Sequence, residues 1–297
     1  MTTWQPDPGE TLIARCGVSF ATGTADGVSG MRWFRDTERN DMQTELADWP
    51  EGPAFTVRSK KSRQVREGGK FGLGFLAVAT LGVLESLAGS GSTGSASRLG
   101  SPQEPENEVE DFPVIWAAPG TLARTLPWQL DPGRRTPIDR THLAVTDRRL
   151  LVLGLVDDKN DLCDEILWET ERSNIAAVER KKFSRHQVDF TVEFTDGSWC
   201  RLAGWNSNCR DDVTRALANP LKLVAPEDLT AGQRQTVAEF VKRQDKPGDL
   251  VVTRRPSGHF LVELLRIGKI DRDYGIFCNG RFMGADGEDV PYQEGDR

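Results

Sequence analysis

The chain has 297 residues, with 38 Lys and Arg against 45 Asp and Glu, a net charge of −7 and 37% hydrophobic residues. That length admits one large domain or two modest ones with ample core. A charged fraction of 28% excludes a polytopic membrane protein, and the acidic balance speaks against nucleic acid as the main partner.

The five cysteines, Cys16, Cys163, Cys200, Cys209 and Cys278, are odd in number and form no CxxC pair. They suggest neither a disulfide framework nor a zinc site and fit a reducing compartment. The polar start from Met1 to Glu10, with two prolines, does not read as a cleaved signal peptide.

In chain order, residues 9–21 form a short alternating β-run with Leu12, Ala14, Cys16, Val18 and Phe20 on one face. Residues 22–112 read as an insertion. It carries Trp33, Phe34 and Trp49, then a basic run, an almost uncharged stretch over 71–89, a Gly/Ser linker and an acidic stretch over 102–112. From 113 onward the pattern predicts strands near 114–118, 122–126, 142–146, 149–156, 165–169, 174–180, 188–195 and 198–204. Thr195-Asp196-Gly197-Ser198 reads as a hairpin of type I′. A helix then follows, capped by Asn208, with Val213, Ala216 and Leu217 on its apolar face and Pro220 as its stop. Residues 226–297 predict a helix near 230–243 capped by Thr230, a three-strand meander turning at Pro256-Ser257-Gly258, and a loose acidic end.

Thr146, Asp147, Arg148 and Arg149 between two apolar strands, then Trp168, Ile175 and Val178, then Phe194, Asp196 and Gly197 before a terminal helix, resemble the bacterial PH-like or GRAM-like domains. Glu10, ahead of an apolar run, looks like the start of that family's first strand. The resemblance covers 9–21 and roughly 113–225. It implies a mainly β (α+β) fold: a bent β-sheet roll closed by a C-terminal α-helix, here with a large insertion after the first strand and a C-terminal helix and β-meander over 226–297. It also implies binding of lipid or protein and no catalysis.

Two features could serve a membrane. The basic run supplies Arg58, Lys60, Lys61, Arg63, Arg66 and Lys70, and the apolar stretch supplies Phe71, Leu73, Phe75, Leu76, Val78, Leu81, Val83 and Leu84. Basic residues near an anionic surface contribute roughly 1 kcal/mol each. Three arrangements fit this stretch: shallow membrane docking, burial or self-association, and a single span, the last opposed by strands of one sheet on both sides of it. Arg180, Lys181, Lys182 and Arg185, beside His186, form a second candidate headgroup contact, implied by the way PH domains hold phosphates.

Catalytic signatures are weak. Gly72 to Ala77 matches G-x-G-x-x-A, but no strand precedes it and no acid follows at the required distance. His142, His186 and His259 are scattered, and Asp157, Asp158, Asp161, Asp164 and Glu165 read as a solvated loop without calcium-loop spacing. Trp168, Trp199 and Trp205 read as core, and core packing is also the better reading for Trp33, Trp49, Trp116 and Trp128, with a protein interface as the alternative for those four. The expectation is a non-enzymatic, cytoplasmic adaptor with no cofactor or metal, peripheral on the inner face of the plasma membrane. Its partner would be anionic lipid. The alternative is a protein-interaction or assembly module, self-association included, whose apolar stretch packs in an interface; an unrecognised enzyme is a third reading.

Overall fold

The structure is a computed structural model that describes residues 4–21, 32–55, 112–136, 139–158, 161–184, 186–218, 222–246, 248–270, 273–294 and 296. The fold is mainly β. Its larger sheet contains β1 (Leu12–Phe20), β2 (Trp33–Arg35), β3 (Pro113–Trp116), β4 (Arg140–Thr146), β5 (Arg149–Asp158), β6 (Asp161–Glu171), β7 (Ile175–Arg180), β8 (Asp189–Phe194) and β9 (Trp199–Gly204).

Strand β1 joins the two halves of this sheet. Its residues 12–17 pair antiparallel with β4, and Val18 to Phe20 pair antiparallel with β9. The sheet continues through β5 and β6 on one side, and through β8 and β7 on the other. A bulge between Leu12 and Ala14 breaks the expected single face. Ala14, Cys16, Val18 and Phe20 enter the main core, whereas Leu12 joins Ala144, Leu151 and Leu153 in a separate cluster covered by Trp4.

Helix α1 (Ser207–Ala218) packs Val213, Ala216 and Leu217 into the main core, the face expected from sequence. Its cap is Asn206, whose Oδ1 accepts the Cys209 backbone N–H at 2.8 Å; Asn208 lies inside the helix.

Three local expectations fail. Residues 122–126 are not a strand but a 3₁₀ turn, Leu122–Thr125, because Asp196 Oδ2 accepts the Leu122 N–H at 2.6 Å and Ser198 Oγ accepts the Ala123 N–H at 3.1 Å. The 194–198 hairpin is not type I′. Only Gly197 has a positive φ, +81°, and its N–H donates to Phe194 C=O, so the loop is a three-residue turn with a glycine bulge. The acidic run from Asp157 to Glu165 is no loop: β5 and β6 run through it.

A short strand absent from the expected set, β2, pairs parallel with β3, which makes the sheet mixed. Phe34, Met42, Leu46 and Phe55 share the main core with β1 and β9.

The second sheet, β10 (Lys222–Leu223), β11 (Asp249–Arg254), β12 (Phe260–Ile270) and β13 (Asp273–Met283), is antiparallel throughout. Helix α2 (Ala231–Lys242) packs Val237 and Phe240 with Val252, Val262, Leu264 and Met283 in a core of its own. Thr230 and Gln233 form a reciprocal capping box at its start. The acidic end is docked rather than loose. Asp296 is 1% exposed, and its carboxylate accepts the Ser257 hydroxyl at 2.8 Å.

Candidate functional site

The Thr-Asp-Arg-Arg turn between β4 and β5 is tied to the residues that precede β1. Glu10 has no exposed side-chain surface. Its Oε1 accepts Thr146 Oγ1 at 2.6 Å and Arg149 Nε at 2.9 Å, and its Oε2 accepts Arg149 Nη2 at 2.5 Å. Asp147 Oδ1 accepts the Thr11 N–H at 2.7 Å, and Arg148 Nη2 donates to Gly9 C=O at 2.6 Å. The Arg149 hydrogen bonds hold the Glu10 carboxyl down at about pKa 2, against the opposing effect of burial.

Beside this turn lies an open cleft of about 860 Å³, lined by Asp7, Glu10, Arg148, Arg149, Glu171, Arg172, Ile175 and Leu217 among others. Its cations are committed to the fold. Arg149 also binds Asp7 and Glu169, each at 2.8 Å. Arg172 donates to Thr146 C=O at 3.2 Å and to Ala216 C=O at the end of α1. In the cleft Arg149 is thus paired with carboxylates, while Arg148 and Arg172 donate to backbone carbonyls.

On the outer side of β1, Arg15 binds Asp164 through two bonds of 2.7 and 2.8 Å, both side chains essentially buried. Arg15 Nε also donates to Nδ1 of the fully buried His142 at 2.9 Å. Asp164, expected in solvent, is thus half of a buried ion pair, and it also accepts the Trp4 N–H at 2.7 Å.

The 180–186 segment is only partly a free cationic surface. Arg180 donates to Thr214 Oγ1 at 3.2 Å and faces Asp211 at 3.5 Å, while Lys181 binds Glu179 at 2.8 Å. Lys182 and His186 are exposed, and Arg185 lies outside the described residues. Beneath this loop Arg201 stacks under Phe183 at 5.1 Å and donates to Phe112 C=O at 3.0 Å. Asp189 is fully buried nearby, and desolvation pushes its carboxyl up to about pKa 6 against the charge of Arg201.

Arg58, Lys60, Lys61, Arg63, Arg66 and Lys70 lie outside the described residues, as do Phe71, Leu73, Phe75, Leu76, Val78, Leu81, Val83 and Leu84. Their flanks do not. Phe55 and Phe112 are 6% and 2% exposed on the larger sheet. Strands β2 and β3, one on each side of residues 56–111, are hydrogen-bonded neighbours. A single crossing between them would put paired strands on opposite sides of a bilayer, and the pairing excludes it. Among the described residues no helix is long and apolar enough to cross a membrane, and no cluster of three or more His, Cys, Asp or Glu could hold a metal.

A second buried cluster has no local signature in the chain. Arg32 at 3.2 Å and Arg134 share the carboxylate of Asp131, which has no exposed surface. Arg134 lies over the rings of Phe34 and Trp49 at 5.4 and 5.2 Å, and Arg32 over Phe55 at 5.1 Å. Burial lowers the Arg32 pKa to about 10. The cluster fastens residues 32–55 to the main core. Trp205, expected in the core, is 45% exposed; its ring lies against Gly17 and under Arg140. Compared with protein-family models, curated proteins and solved structures, the chain matches none of them.

Proposed function

We propose that the chain is a non-enzymatic binding module on a PH/GRAM-like roll, an adaptor held at the inner face of a membrane by anionic lipid. The strand order supports the roll: β1 is shared by β4–β5–β6 and β9–β8–β7, and a terminal helix packs into the core between them. The attachment of both insertion flanks, Phe55 and Phe112, to one sheet carries the membrane reading. Both ends of the segment that contains the basic run and the apolar stretch are thus attached to one body, as a docking element requires. Because Arg180 and Lys181 are already paired, the basic run 58–70 supplies most of the attraction, with Lys182 adding to it.

Electrostatic docking weakens with salt, while burial in a protein interface is nearly indifferent to it. The full chain is expected to co-sediment with phosphatidylserine vesicles at low salt and to dissociate at high salt. The combined substitutions Lys60→Glu, Lys61→Glu, Arg63→Glu and Arg66→Glu should abolish binding. Undiminished binding by that variant overturns the reading, and salt-insensitive self-association in place of vesicle binding replaces it with the assembly module.

A further inference from the structure

The Arg32–Asp131–Arg134 cluster holds two guanidinium groups on one carboxylate, and that carboxylate is already in use. Asp131 has no exposed surface. Its Oδ1 accepts the Gly133 N–H at 2.9 Å, and its Oδ2 accepts Arg134 Nη1. Arg134 completes its set on neutral groups: Nε donates to Pro50 C=O at 3.2 Å and Nη2 to Gln43 Oε1 at 3.4 Å.

Arg32 is left over. Its side chain is 2% exposed, and Nε, though 3.2 Å from Asp131 Oδ1, lacks the alignment of a hydrogen bond. Nη2 is buried and has no acceptor. The Phe55 ring covers one face of the guanidinium at 5.1 Å. Arg135 donates Nη1 to Gln129 C=O at 3.2 Å and to Thr141 Oγ1 at 2.8 Å, so it adds a cation nearby without a bridging carboxylate. Burial lowers the Arg32 pKa only to about 10, and the group is charged at neutral pH. A buried guanidinium with unanswered donors is costly, and an acceptor that carries negative charge offsets that cost.

We propose that Arg32, just ahead of β2, and the 131–134 turn form an anion site, in which Arg32 Nη2 and Nε hold a small monovalent inorganic ion of the chloride class. The enclosure sets the size. With 2% of the side chain exposed and an aromatic ring on one face, the guanidinium edge suits a compact ion rather than a lipid headgroup phosphate. Once bound, the ion neutralises the surplus cation and strengthens the fastening of residues 32–55 to the main core.

The test follows thermal unfolding of the full chain at constant ionic strength while sodium chloride replaces sodium gluconate. The midpoint should rise with chloride, because an ion that binds only the folded state multiplies the folding constant by about 11 at ten times its dissociation constant. Arg32→Met should lose this response, and Arg243→Met, at an arginine 71% exposed, should keep it. Hydrogen exchange on the wild-type chain locates the ion even where Arg32→Met does not fold: chloride should slow exchange most in residues 32–35 and 131–135. A midpoint indifferent to chloride overturns the proposal. So does a chloride response that survives Arg32→Met, or a slowing of exchange that is greatest elsewhere in the chain.

Discussion

The Glu10 carboxylate and the Arg149 guanidinium, 139 residues apart, meet through two bonds of 2.9 and 2.5 Å that fasten the segment before β1 to the first turn after β4. Glu10 is shielded, while the other partners of Arg149, Asp7 and Glu169, are 67% and 46% exposed. Removing Glu10 takes away the one shielded carboxylate of Arg149 and leaves it only exposed partners, and exposed pairs contribute little. Glu10→Gln should therefore lower stability by about 2–4 kcal/mol, and Asp7→Asn by less than about 1 kcal/mol. Urea titrations check this: the midpoint should move while the slope with denaturant is retained.

Acid should act on two groups with opposite signs. Glu10, held at about 2 in the fold against 4.5 ordinarily, gives stability that is present above pH 4.5 and is lost as pH falls toward 2. Asp189, raised to about 6 from 3.8, binds its proton more tightly folded than unfolded. Its cost is absent below pH 3.8 and grows as pH rises to about 6. For these two groups together stability peaks at about pH 4. Asp189→Asn should stabilise the protein at pH 8 by on the order of 2 kcal/mol and flatten the profile between pH 4 and 6. A variant that is less stable at pH 8 contradicts the assignment.

Much of the larger sheet was legible because its strands alternate with period two and end in recognisable turns; β4, β5, β8 and β9 fall where the pattern puts them. Strand β2 was not legible, since three residues in parallel pairing carry neither alternation nor a hairpin signal. Residues 122–126 read as a short strand, but Asp196 and Ser198 capture two of their N–H groups in a 3₁₀ turn. Asp164 looked like one carboxylate of an acidic loop because nothing local announces that Arg15 will reach it. The Arg32–Asp131–Arg134 cluster was hidden for the same reason: burial of charge depends on partners distant in the chain.

Gly17 is required by the ring of Trp205. A Cβ built there would lie 2.8 Å from Trp205 Cδ2 and 2.9 Å from Cγ, too close for the ring to stay. Gly17→Ala should cost about 1–3 kcal/mol, as overpacking does. Adding Trp205→Ala should recover part of that loss, a coupling that a double-mutant cycle measures. Full additivity would show that the ring does not set the requirement.

The docked end predicts a stabilising tail. Asp296 accepts two hydrogen bonds from Ser257, Arg281 pairs with Asp289, and Met283 has no exposed surface. Truncation after Met283 should speed amide exchange in β11 to β13 while leaving β4 and β5 unchanged. Equal exchange in both forms would mean that the tail contributes nothing.

The most direct test of the docking account is liposome flotation of the full chain and of a variant lacking residues 58–98, with neutral and anionic vesicles. Loop closure depends weakly on loop length, and Phe55 and Phe112 are retained, so the variant should keep its fold by circular dichroism. The account predicts that the full chain floats with anionic vesicles and the folded variant does not. A folded variant that floats as well as the full chain, or a full chain that floats with neither vesicle, would contradict it.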